Sequence, residues 1–346
     1  MPRNNIQNKI KNQTPKLKKY LARTLHDHER KLGGIGDFPH DLSLKLESFV
    51  SSGKLMRGNL VLLSAGQHKD AYHIAAALEL CHSMFLVHDD IIDMDLLRRG
   101  NPAIHALYTQ ETRIPHRVRA HYGISQGICL GDIGFFIAFS LLSRLTHPHA
   151  DTIRTFFMQE MMRVGFGEMQ DVYFGLTDTD PKEDDILAMY TAKTARYSIS
   201  LPVALGMYVR GMPESSIKPC ITIGEYLGTA FQLKDDELGL FGDSSATGKG
   251  VWKDVEQNKK TILRSLLFSR ATKIEKTRLS KIFGHPVNTP DREFVLSLCQ
   301  KYSVRETAQS ISEALLLKAA KLMQKMPREY KEIFEFIIDF NNTRIK

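Results

Sequence analysis

Residues 71–95 read AYHIAAALELCHSMFLVHDDIIDMD. From Ile74 to Val87 the apolar residues recur at helical spacing, and the run then ends in His88-Asp89-Asp90-Ile91-Ile92-Asp93-Met94-Asp95. Asp89 and Asp93 are four apart and share one helical face, with Asp90 offset by about 100°. Like charges so spaced destabilise a helix end unless a cation sits among them. An apolar helix that closes on three carboxylates therefore reads as a site for a hard divalent ion taken by oxygen. The bland alternative is a solvated helix end.

A second acidic end makes that alternative weaker. Phe231-Gln232-Leu233-Lys234-Asp235-Asp236-Glu237 closes another apolar helical segment, too far along the chain to act locally with the first. If the two helices pack with ends aligned, their carboxylates face one another across a cavity. Magnesium keeps few protein ligands and favours carboxylates together with substrate phosphates, so the expected ligand is a magnesium-held diphosphate. Such a ligand also needs cations. Lys54 and Arg57 follow Gly53, Arg98 and Arg99 follow the first cluster, and Lys193 with Thr194 interrupts the segment 183–210. Lys249 follows Gly248, and Lys259 and Lys260 come next. Any one of them alone is an ordinary surface charge; their grouping with the acidic clusters is what counts.

Working outward, segments 71–98, 153–173, 183–210, 217–241, 260–283 and 306–345 carry apolar residues at helical spacing, separated by Pro/Gly/Asp-rich loops. Alternating β-branched runs are nearly absent. The expected fold is all-α, one domain of ten or more helices. No repeat of solenoid length is present. The apolar fraction of 42% and charged fraction of 25% exclude disorder and a disulfide miniprotein. No uncharged apolar run reaches the roughly 18 residues of a membrane span. Cys81, Cys129, Cys220 and Cys299 contain no CxxC pair and read as buried thiols of a reducing compartment, hence a cytoplasmic protein.

The net charge of +8 is uneven: residues 1–32 hold nine Lys or Arg against Asp27 and Glu29. The division expected is a basic arm, 1–32, read as a solvated helix dispensable for chemistry, and a catalytic domain, 33–346. The near-neutral body argues against nucleic-acid binding.

The ordered strings GKLMRG (53–58), ELCHSMFLVHDDIID (79–93), LRRGNPAIH (97–105), KTA (193–195), FQLKDDELGLFGD (231–243), TGK (247–249) and DVEQNKKT (254–261) resemble the trans-isoprenyl diphosphate synthases of the farnesyl and geranylgeranyl type, over about residues 50–270. The resemblance implies a helical bundle around a deep central cavity, a homodimer, and about three magnesium ions. It implies that Asp89, Asp90, Asp93, Asp235 and Asp236 hold the metal. Arg98, Lys193, Lys249 and Lys259 would contact the allylic diphosphate, and Lys54, Arg57, His82 and Arg99 the isopentenyl diphosphate. Lys193, Thr194 and Gln232 would face the developing carbocation, and Phe85, with Met84 and Cys81 beyond it, would limit product length. Three positions depart from the family pattern. The family's GKRxRP reads Gly53-Lys54-Leu55-Met56-Arg57-Gly58, losing one basic residue while keeping Lys54 and Arg57, Gly239 stands where a third Asp is usual, and Glu168 follows Gly167 where Gln is usual.

The reaction so implied is head-to-tail elongation: metal and cations assist departure of the allylic diphosphate, and the double bond of isopentenyl diphosphate attacks the cation in a dry cavity. The product expected is C15 to C20. A terpene cyclase needs one diphosphate site, whereas cations for two are present here. A non-catalytic partner subunit would lack carboxylates that this chain keeps.

Overall fold

The structure is a computed structural model that describes residues 2–242 and 251–343. It is almost entirely helical: α1 (Pro2–Lys31), α2 (Phe38–Ser51), α3 (Met56–Ala65), α4 (Ala71–Ile92), α5 (Ile104–Tyr108), α6 (Arg119–Leu142), α7 (Ala150–Leu176), α8 (Glu183–Tyr190), α9 (Leu201–Val209) and α10 (Glu214–Phe241). Then follow α11 (Lys253–Glu256), α12 (Ile262–Arg270), α13 (Lys273–Ile282), α14 (Thr289–Lys301), α15 (Val304–Met323) and α16 (Arg328–Thr343). Among the described residues the extended structure is one two-residue ribbon, β1 (Leu97–Arg98) paired antiparallel with β2 (Asn101–Pro102). The all-α expectation holds. The chain divides into two compact units: Met1–Phe157 with Pro202–Ile217, and Met158–Leu201 with Lys218–Lys346.

In the first unit α4 is the central element. Ile74 to Leu78, Leu80, Cys81, Met84 and Val87 are buried, so this helix is apolar nearly all round, as a core helix is. Its outer turns lie against a glycine stripe on α6. A side chain at Gly127, Gly131 or Gly134 would run into Ile91, His88 or Met84 respectively. The stripe lets α6 approach closely and fixes the turn that carries the aspartates.

The basic stretch does not form a solvated helix. Ile6, Leu17, Leu21, Thr24 and Leu25 of α1 are buried, and α1 packs on α2, α3 and α4. Leu17 sits over Gly58, Asn59 Nδ2 donates to Thr14 Oγ1 (2.9 Å), and Lys18 Nζ to the Ser51 carbonyl (2.6 Å). The Lys-rich composition hides a sparse apolar face that is sufficient to dock.

Expected helical segments are cut where the chain must turn. The first ends at Ile92 rather than reaching residue 98, because Arg99 (φ 54°) and Gly100 (φ 76°) form the tip of the ribbon. Segment 260–283 breaks at Ala271, where Thr272 caps α13 with Glu275 in a capping box. Segment 306–345 breaks before α16. The second unit buries Ile186, Met189, Tyr190, Leu263, Leu267, Val295 and Val304 in one cluster.

Of the four thiols, Cys129 is exposed, against expectation, while Cys81, Cys220 and Cys299 are buried; all are free. One helix, His116–Leu142, is long and apolar enough to cross a membrane by length and composition, a stretch the unbroken-run criterion passed over because Asp132 interrupts it.

Candidate active site

The first unit holds one half of the predicted residues. Asp89 and Asp90 lie in the last turn of α4, and Asp93 caps it, its N–H donating to the Asp89 carbonyl (2.8 Å). The ribbon folds Arg98 back onto them. Arg98 Nη2 donates to Asp89 Oδ2 (2.9 Å), Nε donates to Asp90 Oδ1 (2.7 Å), and Nη2 also reaches Asp90 Oδ1. Arg98 is 8% exposed and Asp90 fully buried. Burial opposes the Arg98 charge, but its hydrogen bonds to and the charges of Asp90 and Asp89 outweigh this and raise its pKa. The guanidinium is thus the built-in countercharge of the motif, which explains how clustered carboxylates survive at a helix end.

Because both central residues of the turn have positive φ, Arg99 departs from the opposite side to Arg98. Its Nη1 donates to Ser52 Oγ (3.0 Å) and reaches the Phe49 carbonyl (3.4 Å) beside Gly53. Arg99 therefore meets the loop bearing Lys54 and Arg57. Burial, then the charges of Arg57, Arg99 and Arg98, push the His82 imidazole well below its ordinary pKa, so it is neutral at pH 7. Glu79 lies below this group, accepting from the Gly58 N–H (2.6 Å). Arg57, His82 and Arg99 are brought within electrostatic reach of one another, and Arg99 lies against Gly53, the residue before Lys54.

The second unit holds the other half. After α8 the chain widens into a π-helical segment, Thr191–Ser200. Lys193 and Thr194 stand on it. Small residues make room: a side chain at Gly167 of α7 would lie 2.7 Å from the Lys193 N, and one at Gly224 of α10 would lie 2.6 Å from the Ser200 Cα. Such π-helical segments are rare and recur at functional positions. Lys193 Nζ bonds Asp171 Oδ2 (2.6 Å) and Glu168 Oε2 (2.9 Å), and Lys259 Nζ bonds Asp171 Oδ2 (3.2 Å). Burial works against the Asp171 charge, but the two ammonium groups prevail and lower its pKa.

Thr194 Oγ1 donates to Gln232 Oε1 (3.0 Å), and Gln232 Nε2 donates to Asp236 Oδ1 (2.9 Å). Tyr190 donates to Asp236 Oδ2 and accepts from the Ile262 N–H (3.1 Å). Asp236 is thereby fixed on both oxygens. Burial, then the nearby Asp254 charge, raises its pKa well above the carboxylate range. Asp235 is half-buried. Lys249 lies outside the described residues, as does Asp243.

Asp254 is a residue that sequence reading missed. Its carboxylate lies where a side chain at Gly239 would begin, 3.1 Å from that position, and with Asp236 and Lys259 it lines a cleft in the second unit. The signal was present in DVEQNKKT, but its aspartate was not singled out. Asp171 stands out in the sequence only as a neighbour of the Gly167-Glu168 departure, with no role assigned to it, and Tyr190 was missed for want of any local pattern.

On the supposed tail path, Met84 and Cys81 are fully buried, while Phe85 is half-buried and meets Phe135 of α6 edge-on, with ring centroids 5.1 Å apart. Phe136, the next residue of α6, points away from it and is 70% exposed.

Do these residues suit a hard cation? Every donor at the two helix ends is a carboxylate, which fits. Among the described residues no three metal-ligating side chains already form a cage. That pattern suits an ion that takes one or two carboxylates and completes its shell with water and phosphate.

The polyprenyl synthetase family model matches residues 41–298. The geranylgeranyl diphosphate synthase of Sulfolobus acidocaldarius is 31% identical over 78% of this chain and 79% of its own. Heptaprenyl diphosphate synthase component 2 of Geobacillus stearothermophilus is 28% identical over 82% of each. Among solved structures, geranylgeranyl pyrophosphate synthase of Corynebacterium glutamicum, complexed with isoprenyl diphosphate and magnesium, is 25% identical with a TM-score of 0.87, covering 96% of this chain and 98% of that one. With the matched region spanning both aspartate-rich helix ends and both cationic groups, the chain belongs to the polyprenyl synthetase family of prenyl-transferring enzymes.

Proposed function

We propose that this enzyme condenses isopentenyl diphosphate head-to-tail with an allylic diphosphate, giving farnesyl (C15) or geranylgeranyl (C20) diphosphate. The observation that supports the reading is that Arg57, Arg99 and His82 gather beside the loop that bears Lys54, in addition to the Lys193 and Lys259 pair of the second unit. A second cationic group suits a second diphosphate, which a one-diphosphate cyclase does not need.

Asp89, Asp90, Asp93, Asp235 and Asp236 would hold the metal, with Asp89, Asp93 and Asp235 more accessible than buried Asp90 and Asp236, and Asp254 adding charge beside Asp236. The fit of these carboxylates and the magnesium named with the Corynebacterium structure support magnesium; a count of about three ions per site follows from the family resemblance alone. When bound, it neutralises the diphosphate leaving group. Arg98, Lys193 and Lys259 supply fixed positive charge for the allylic diphosphate. Thr194 and Gln232 offer oxygen dipoles to the developing cation from a hydrogen-bonded row anchored at Asp236 and Tyr190. Lys54, Arg57, His82 and Arg99 orient isopentenyl diphosphate, so that the reaction becomes effectively intramolecular. Phe85 and Phe135 close the tail path. The working form is a homodimer.

Purified protein incubated with labelled isopentenyl diphosphate, allylic primers and magnesium should form linear diphosphates of C15 to C20. Cyclised hydrocarbon, or no elongation of any primer, would sink this reading.

A further inference from the structure

We infer that the outer face of α1 and the turn after it dock this protein onto an anionic lipid bilayer. Lys9, Lys16, Arg23 and Arg30 recur every seven residues, and Lys19 falls between them. All five side chains are exposed, on the face opposite buried Ile6, Leu17, Leu21 and Leu25. The stripe runs for about 30 Å along the helix. Few carboxylates interrupt it: Asp27 pairs with Arg30, and Glu29 with His40 (2.8 Å). His26 lies beside the stripe and meets Glu47 (3.0 Å). Lys9, Lys16, Lys19 and Arg23 keep their charge facing solvent.

A second, independent feature begins two residues past Arg30. The turn Leu32-Gly33-Gly34-Ile35-Gly36-Asp37-Phe38 exposes Leu32 (48%), Ile35 (64%) and Phe38 (61%). Gly34 (φ 102°) and Gly36 (φ 65°) carry the chain through conformations other residues resist, and nothing lies within 4 Å of where their side chains would start. The turn stands clear of the body, with Asp37 its one acidic group.

A row of cations beside a projecting apolar turn is what an interfacial site requires, charge for the headgroups and side chains for the acyl boundary. A nucleic acid would use the row and leave the turn unexplained. A second copy of this chain would set like charge against like charge across a symmetric contact.

The test is flotation of the full-length protein with neutral phosphatidylcholine vesicles and with vesicles partly of phosphatidylglycerol. Binding should need the anionic lipid and fall steeply as salt is raised. K16E/K19E/R23E should weaken it by at least about tenfold. I35S/F38S should weaken it at every salt concentration without changing the salt slope, and both variants should keep solution turnover. Equal binding to neutral vesicles, or undiminished binding of the charge-reversed variant, would overturn the inference. So would RNA homopolymer binding as tight as the vesicle binding and indifferent to I35S/F38S, which would assign the stripe to polyanions in general.

Discussion

Two glycines of α7, two residues apart, offer a sharp test of how Lys193, proposed to meet the allylic diphosphate, is held. A side chain at Gly167 would lie 2.7 Å from the Lys193 N, 2.9 Å from its Cα and 3.0 Å from its Cβ. A side chain at Gly165 would meet nothing within 4 Å. Both substitutions to alanine gain about 1 kcal/mol of helix propensity. Only Gly167→Ala collides, and it collides with backbone, which cannot rotate away. Overpacking of this kind costs about 1–3 kcal/mol, so the net change in stability is small, roughly 0–2 kcal/mol. Ordinary contact requires the π-helical segment to retreat by about half an ångström. Misplacing a reacting group by about 1 Å costs some hundredfold, so about tenfold in kcat is expected. Thermal unfolding and steady-state kinetics on the two variants separate the effects. Gly165→Ala should raise Tm by about 2–4 °C with normal turnover, whereas Gly167→Ala should lose turnover with a Tm lowered by about 0–8 °C. Wild-type kcat in Gly167→Ala would show that the seating of Lys193 against α7 does not matter to the chemistry.

Other outcomes follow from the same geometry. Asp89→Asn and Asp235→Asn should each lower kcat by about a hundredfold at saturating magnesium, because each removes a carboxylate that would hold the metal neutralising the departing diphosphate; turnover near normal in either would refute its role as a ligand. Phe85→Ala should lengthen the product by at least one isoprene unit, and Phe135→Ala should act in the same direction because the two rings meet edge-on; product sizing decides it. Leu17→Ala should destabilise the fold by about 2–5 kcal/mol, and deletion of residues 1–20 by more, contrary to the expectation of a dispensable arm; denaturant titration of both forms measures this.

What was legible in the sequence was periodic or clustered. The apolar helix ending in Asp89, Asp90 and Asp93 announced itself because side chains three and four apart share a face. The gathering of Arg99 with Lys54, Arg57 and His82 was readable only through resemblance, since a left-handed pair at Arg99-Gly100 turns the arginine toward a loop some 45 residues earlier. Local patterns carry no such information. The docked face of α1 escaped notice because five apolar or small residues were diluted among lysines and asparagines. Asp171, Tyr190 and Asp254 act through partners distant in the chain, at Lys193, Asp236 and the space over Gly239. The π-helical widening at 191–200 has no sequence period to betray it; its traces are Gly167, Gly224 and Gly228, each facing that segment.

The departures from the family pattern also acquire physical sense. Loss of the third aspartate at Gly239 does not empty that corner of charge, because Asp254 comes within reach of the same space. Addition of Glu168 places a second carboxylate on Lys193, so that one ammonium is shared by Glu168 and Asp171 and the latter is shared again with Lys259. In the first unit Arg98 likewise serves both Asp89 and Asp90. Lys193 with Asp171 and Glu168, and Arg98 with Asp89 and Asp90, therefore fold as compensated groups, which lowers the desolvation cost of gathering them. Under the proposed function a diphosphate arriving at Lys193 would compete with Glu168 and Asp171, so Glu168→Gln should lower the KM for the allylic substrate; an unchanged KM would separate Glu168 from substrate binding.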